Sequence, residues 1–105
     1  MIRMSVMYPA TAGSTFDWDY YLFQHVALVR KRLKSNGMLK FEVDRGVGSF
    51  PPGTPIPYHA IAHLFFESGA AMEEAMSAVG PELMADIPHY YNGTVVTQVS
   101  TVVES

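Results

Sequence analysis

YHAIAHLFFE, residues 58–67, is apolar at nearly every position and keeps neither a helical period nor a clean alternation. A short run of that kind reads as a β-strand covered on both faces. Such a strand needs helices on one side of its sheet and a second cover on the other. The flanking sequence supplies the helices. Downstream, Ser68 is placed to cap a helix whose Met72, Ala75, Met76 and Val79 recur at three- and four-residue steps. Gly80-Pro81 is expected to stop that helix, and PELMADI to add one short helical turn ended by Pro88. The β-branched GTVVTQVSTVV, residues 93–103, predicts the last strand.

Upstream, GSFPPGTPIP (48–57) holds four prolines and two glycines and predicts an irregular loop. Residues 38–47 predict a strand with Leu39, Phe41, Val43 and Val47 on one face and Lys40, Glu42 and Asp44 on the other. Before it, Asp17 begins a helix by accepting backbone N–H bonds. Phe16 and Tyr21 are spaced as a hydrophobic staple, and Asn36-Gly37 ends the helix. Trp18, Leu22, His25, Val29 and Leu33 form its expected buried stripe, with Tyr21 and Leu28 alongside. IRMSVMY (2–8) alternates, Ile2, Met4, Val6 and Tyr8 against Arg3, Ser5 and Met7, and predicts the first strand.

The order β-α-β-β-α-β in 105 residues predicts one α+β domain over 1–105, the ferredoxin-like split βαβ. Its four-stranded antiparallel sheet has both helices on one face. The other face holds either Ile61 and Phe65 with the two histidines His59 and His63, or Ala60, Leu64 and Phe66. Either set leaves apolar surface in water, and contiguous patches of that kind are rare on monomers. A homodimer packed sheet to sheet is the expected cover. Only 16% of residues are charged against 49% hydrophobic, which agrees with a self-association face.

A net charge of −3 with no basic stripe argues against nucleic acid; the cluster Arg30, Lys31, Arg32, Lys34 suits a helix C-terminus. No run approaches the roughly 20 apolar residues of a membrane span, and MIRMSVMYP lacks the apolar core of a signal peptide. A cytoplasmic, membrane-free protein is therefore expected. Without cysteine, thiolate and disulfide chemistry are excluded.

The chemistry available lies in histidines and phenols. His59 and His63, four apart on a strand, share a face but stand about 13 Å apart, too far to chelate one ion together. No metal or other cofactor is called for. His63 reads as a cross-strand packing residue; His59 and His89 lie near strand or loop ends, where solvent reaches them. His25, central in an apolar helical stripe, is either a core histidine bonded to a carbonyl or hydroxyl, or an acid/base group at a cleft floor. Tyr20, Tyr21, Tyr58, Tyr90 and Tyr91 are candidate hydroxyl partners. Asp17 and Asp19 read as capping charges, and Glu67 and Asp86 receive no role. No phosphate loop or serine nucleophile motif occurs.

The stretch FDWDYYLFQHVALV (16–29) resembles the EthD family, in which an aromatic-Asp-x-x-Tyr-Tyr helix start precedes a histidine and then x-Pro-Leu-Val. Phe16, Asp17, Tyr20, Tyr21, His25, Leu28 and Val29 match; Ala27 stands where the family has proline. VDRG (43–46), PYHAIAHLFFES, ADIPHY (85–90) and VVTQVS extend the likeness from Ile2 to about Val103. The resemblance implies a dimeric α+β barrel. With it, His25 is expected to act in a small apolar pocket, with Tyr20 or Tyr21 as its hydroxyl partner and Trp18, His63, Phe65 and Tyr90 contacting a ligand. The expected function is binding of a small apolar organic metabolite with cofactor-free acid/base or oxygenase-type chemistry. The alternative is a non-catalytic accessory protein holding such a metabolite for a partner oxidoreductase.

Overall fold

The computed structural model describes all 105 residues. The sheet has the strand order β2-β3-β1-β4, all antiparallel. Its strands are β1 (Ile2–Pro9), β2 (Lys40–Arg45), β3 (Tyr58–Phe66) and β4 (Val96–Thr101). One helical arm is built from α1 (Trp18–Tyr20), a π-helical turn (Tyr21–His25) and α2 (Val26–Lys34); the other is α3 (Gly69–Asp86), followed by a 3₁₀ turn (Ile87–His89). This is the expected ferredoxin-like α+β arrangement. No helix is long and apolar enough to cross a membrane.

The caps read from sequence form. Asp17 accepts from the Tyr20 N–H at 3.0 Å, Ser68 accepts from the Ala71 N–H at 3.1 Å, and Gly37 closes α2 with φ +97°. Phe16 and Tyr21 meet as a staple with ring centroids 5.0 Å apart. Strands β2 and β4 are shorter than the runs that predicted them: Leu39 and Val47 lie outside β2, and both are exposed.

Two expectations fail in an informative way. The helix is not broken at Gly80-Pro81; α3 runs through Pro81 to Asp86. A proline inside a helix costs about 3 kcal/mol. Leu83 and Ile87, both buried beyond it, return about 1.5–3 kcal/mol each. The first helix keeps His25, Val29 and Leu33 of its expected stripe but puts Tyr21 inside in place of Leu22. Leu22 is exposed, and the buried positions are Tyr21, His25, Val29 and Leu33, four residues apart throughout. Four-residue steps drift around an α-helix. The π turn, closed by the Val26 N–H onto the Tyr21 carbonyl, widens one turn and brings Tyr21 over His25, rings stacked 5.6 Å apart.

The core lies between sheet and helices. Ala62, Leu64, Phe66 and Phe41 face Val29, Leu33, Ala75 and Leu83 across it. Ile61, His63 and Phe65 point away from the helices, the first of the two alternatives for β3. That open face is less apolar than expected. A row of polar groups crosses it: Ser5 Oγ lies 3.1 Å from His63 Nδ1, and His63 Nε2–H donates to Asp44 at 2.9 Å. Lys40 lies over the Phe65 ring at 5.3 Å.

Candidate functional site

Two distant segments, 16–21 and 86–92, close one end of the core. The Asp17 N–H donates to the Tyr90 carbonyl at 2.8 Å, the Thr15 N–H donates to Asn92 Oδ1 at 2.8 Å, and Phe16 bridges Tyr91. Tyr8, Phe16, Tyr21, Tyr90 and Tyr91 then form one aromatic cluster, their rings meeting mainly edge-on. The Tyr8 and Tyr90 hydroxyls share a bond at 2.7 Å, and the Tyr91 hydroxyl donates to the Pro9 carbonyl at 2.7 Å.

Beside this cluster lies a cavity of about 40 Å³ between sheet and helices. Of its thirteen lining residues, His25 alone is not hydrophobic; Tyr8 and Tyr21 are the two that carry hydroxyls. Met84, 49% exposed, is the most exposed of the lining residues; Met4, Val6 and Met76 are half-buried. The volume admits a few heavy atoms. Larger ligands require Met76 and Met84 to move, which unbranched thioether chains do readily.

His25 is 5% exposed, and its Nδ1 lies 2.9 Å from Asp86 Oδ2. A carboxylate only accepts, so Nδ1 carries the proton and Nε2 keeps its lone pair. Nε2 makes no hydrogen bond within the chain and is the nitrogen left for a ligand. Asp86 Oδ1 accepts from the Tyr20 hydroxyl at 2.7 Å and from His89 Nδ1–H at 3.2 Å.

Burial lowers the His25 pKa below its ordinary value, and the Asp86 carboxylate only partly reverses that, so the ring is neutral at pH 7. For Asp86, burial pushes upward, but the donors Tyr20 and His25 outweigh it and hold the carboxyl below the usual range. Burial raises the phenols: Tyr8 to about 12, and Tyr21 and Tyr90 further still. Tyr8 and Tyr21 therefore stay protonated at neutral pH, and both line the cavity.

The residues singled out from sequence separate into three groups. Tyr21 and His25 line the cavity. Tyr90 backs it, with its ring centroid 4.7 Å from that of His25. Tyr20 reaches Asp86 instead of the cavity, and Trp18 lies under the Arg45 guanidinium at 4.8 Å. His63 and Phe65 are not part of this pocket: strand alternation puts them on the opposite face of the sheet. His59 is half-buried rather than solvated, 2.8 Å from Ser14 Oγ and stacked on Phe16.

Asp86 was the residue that sequence reasoning missed. Its one local signal is the Asp-x-x-His spacing of ADIPHY, which puts His89 within reach of it. Alternation puts Tyr8 on one face with Ile2, Met4 and Val6, without a hint of its hydroxyl bond. No three His, Asp or Glu side chains converge as a metal site would require.

A family model for the EthD domain matches residues 12–94. Among solved structures, the chain is similar to an EthD-like protein from Ralstonia eutropha, with 33% identity, a TM-score of 0.89, and coverage of 98% of this chain and 92% of that one. An EthD family protein from Bacillus halodurans, 17% identical, superposes with a TM-score of 0.76 over 96% of this chain and 97% of that one. A dimeric ferredoxin-like protein of unknown function from Thermobifida fusca shares the fold at 10% identity, with a TM-score of 0.64 over 96% and 90% of the two chains. No curated protein matches the sequence significantly.

Proposed function

The chain belongs to the EthD domain family, and from that premise we propose that it binds a small apolar carbonyl compound and uses His25 as a general base. One observation carries the reading: an imidazole held at Nδ1 by a carboxylate 2.9 Å away stands as the single non-hydrophobic residue of an apolar cavity. In this scheme Nε2 takes a proton from the carbon beside the carbonyl. The resulting imidazolium is balanced by Asp86, and the oxygen that becomes an enolate meets the Tyr8 or Tyr21 hydroxyl. The proton then returns from Nε2 to a different carbon of the enolate, an isomerisation, or to the alkoxide formed when the enolate carbon attacks a second carbonyl of the same molecule, a cyclisation.

Cyclopentanone serves as a probe. Its α-protons are expected to exchange in D₂O with the protein about 10²–10⁴ times faster than with His25→Phe. The rate should rise as pH climbs through the lowered His25 pKa and be level at neutrality. Exchange equal to that of His25→Phe overturns the base. Saturable shifts of the Met76 and Met84 methyl signals without exchange would instead assign the accessory, non-catalytic role.

The same reading includes a second copy against the open sheet face. Met7, Ile61 and Phe65 lie there, and the Arg3 Nε is buried without a partner within the chain. Sedimentation equilibrium at micromolar concentration should give a dimer mass, and a persistent monomer would remove this part of the proposal.

A further inference from the structure

Building on His25 as the base, we propose that Tyr20 is a positioning residue: it occupies one oxygen of Asp86 so that the other is reserved for His25 Nδ1–H. Tyr20 does not line the cavity, so contact with a ligand there does not explain its placement. Its hydroxyl donates to Asp86 Oδ1 at 2.7 Å, the shortest of the three bonds this carboxylate accepts. Its ring stacks on the exposed His89, 5.6 Å apart at 26°, and on Tyr90, 6.2 Å apart at 21°. Tyr20 is thus held by its ring as well as by its hydroxyl.

Asp86 needs such help. It is the last residue of the 18-residue α3, where a negative charge stands against the helix dipole and no basic residue lies in the final turn. Three donors from separate backbone segments compensate: Tyr20 from α1, His25 from the π turn and His89 from the 3₁₀ turn. Tyr20 and His89 share Oδ1, whereas His25 alone takes Oδ2. The imidazole therefore meets an acceptor of fixed direction, and its proton stays on Nδ1. Without the Tyr20 hydroxyl, Oδ1 keeps only the longer contact from the exposed His89, and the carboxylate can turn about Cβ–Cγ. The imidazole proton then divides between the two nitrogens, and each ring with the proton on Nε2 is useless as a base toward the cavity.

The test reads the proton itself. Ring ¹⁵N shifts of His25 in the full chain report the ratio of the Nδ1–H to the Nε2–H form. Tyr20→Phe keeps the ring and its stacking. It is expected to lower that ratio about tenfold and slow cyclopentanone exchange by a similar factor, with ketone affinity unchanged. His89→Gln, at the exposed and longer contact, should lower the ratio less than threefold. An Nδ1–H form that persists undiminished in Tyr20→Phe overturns the positioning role and leaves the base in place. A wild-type His25 with its proton on Nε2 overturns the base reading itself, whatever Tyr20 does.

Discussion

Raising the pH above 10 is expected to unfold this protein cooperatively, because three phenols cannot ionise where they lie. Tyr8, Tyr21 and Tyr90 are each no more than 2% exposed, and burial raises all three above the ordinary tyrosine value. In the unfolded chain they release their protons near pH 10; in the folded chain they keep them. A raised folded-state pKa gives stability that is complete below the unfolded value and is lost as pH rises toward the folded one. Each retained proton costs about 1.4 kcal/mol of stability per pH unit. Three of them remove about 4 kcal/mol per unit, against a total of about 5–15 kcal/mol for a small domain. For a stability of about 5–8 kcal/mol the midpoint should therefore fall at roughly pH 11–12. Urea midpoints should hold level from pH 8 to about 9.5 and decline with that slope above about pH 10, and Tyr21→Phe should remove about a third of it. Tyrosinate absorbance at 295 nm should show these three phenols appearing only with loss of the circular dichroism signal. All six tyrosines titrating reversibly in a folded protein below pH 11 would refute this account.

Asp86→Ala should be the most damaging single change near the cavity. It strands the His25 Nδ1–H, 5% exposed, and frees the Tyr20 hydroxyl to water. Leaving a buried donor unpaired costs about 1–3 kcal/mol, toward the upper end where the lost acceptor is charged. The helix terminus regains about 0.3–1 kcal/mol by losing a charge that opposes its dipole. A net loss of about 2–3 kcal/mol remains, or roughly 10–20 °C in melting temperature for a domain of this size. Asp86→Asn keeps the shape and one acceptor oxygen, so its melting temperature should fall less. The acid limb carries the same signature. The His25 pKa is lowered, so the stability it supplies is complete above the unfolded histidine value of about 6.5 and is lost as pH falls below it; the lowered Asp86 pKa adds a second loss only below about pH 4. Thermal melts of wild type and both variants between pH 4 and 8 check the order and the direction. An Asp86→Ala protein as stable as the wild type would mean that the carboxylate is not holding the ring.

The order of elements along the chain, the caps and the central strand were legible because each rests on local chemistry: alternation in residues 2–8, an aspartate before an aromatic helix start, a serine before Gly69. The site was legible only in part. His25 stood out as a polar residue in an apolar stripe, but the stripe assumed an α-helical period. The π turn is set by tertiary packing of Tyr21 against Tyr8 and Tyr90, which no local pattern encodes. Asp86 was hidden by Pro81: reading that proline as a stop separated Asp86 from the helix that aims it at His25. His63 and Phe65 lie on the sheet face opposite this cavity; β3 is apolar on both sides, so alternation alone does not say which side meets the helices.

The widened turn at 21–25 is what an α-helix becomes on accepting one inserted residue without shedding its neighbours. It uncouples the lead of the arm from its trailing half. Deleting one residue among 22–24 would restore ordinary winding and rotate everything before it by about 100° around the axis. Tyr20 would then leave the carboxylate and Tyr21 would leave the imidazole, while α2 stayed seated on the sheet. A chain of one residue less could thus keep this architecture and lose its chemistry, so length across this single turn, more than overall likeness, separates a working chamber from a bare scaffold.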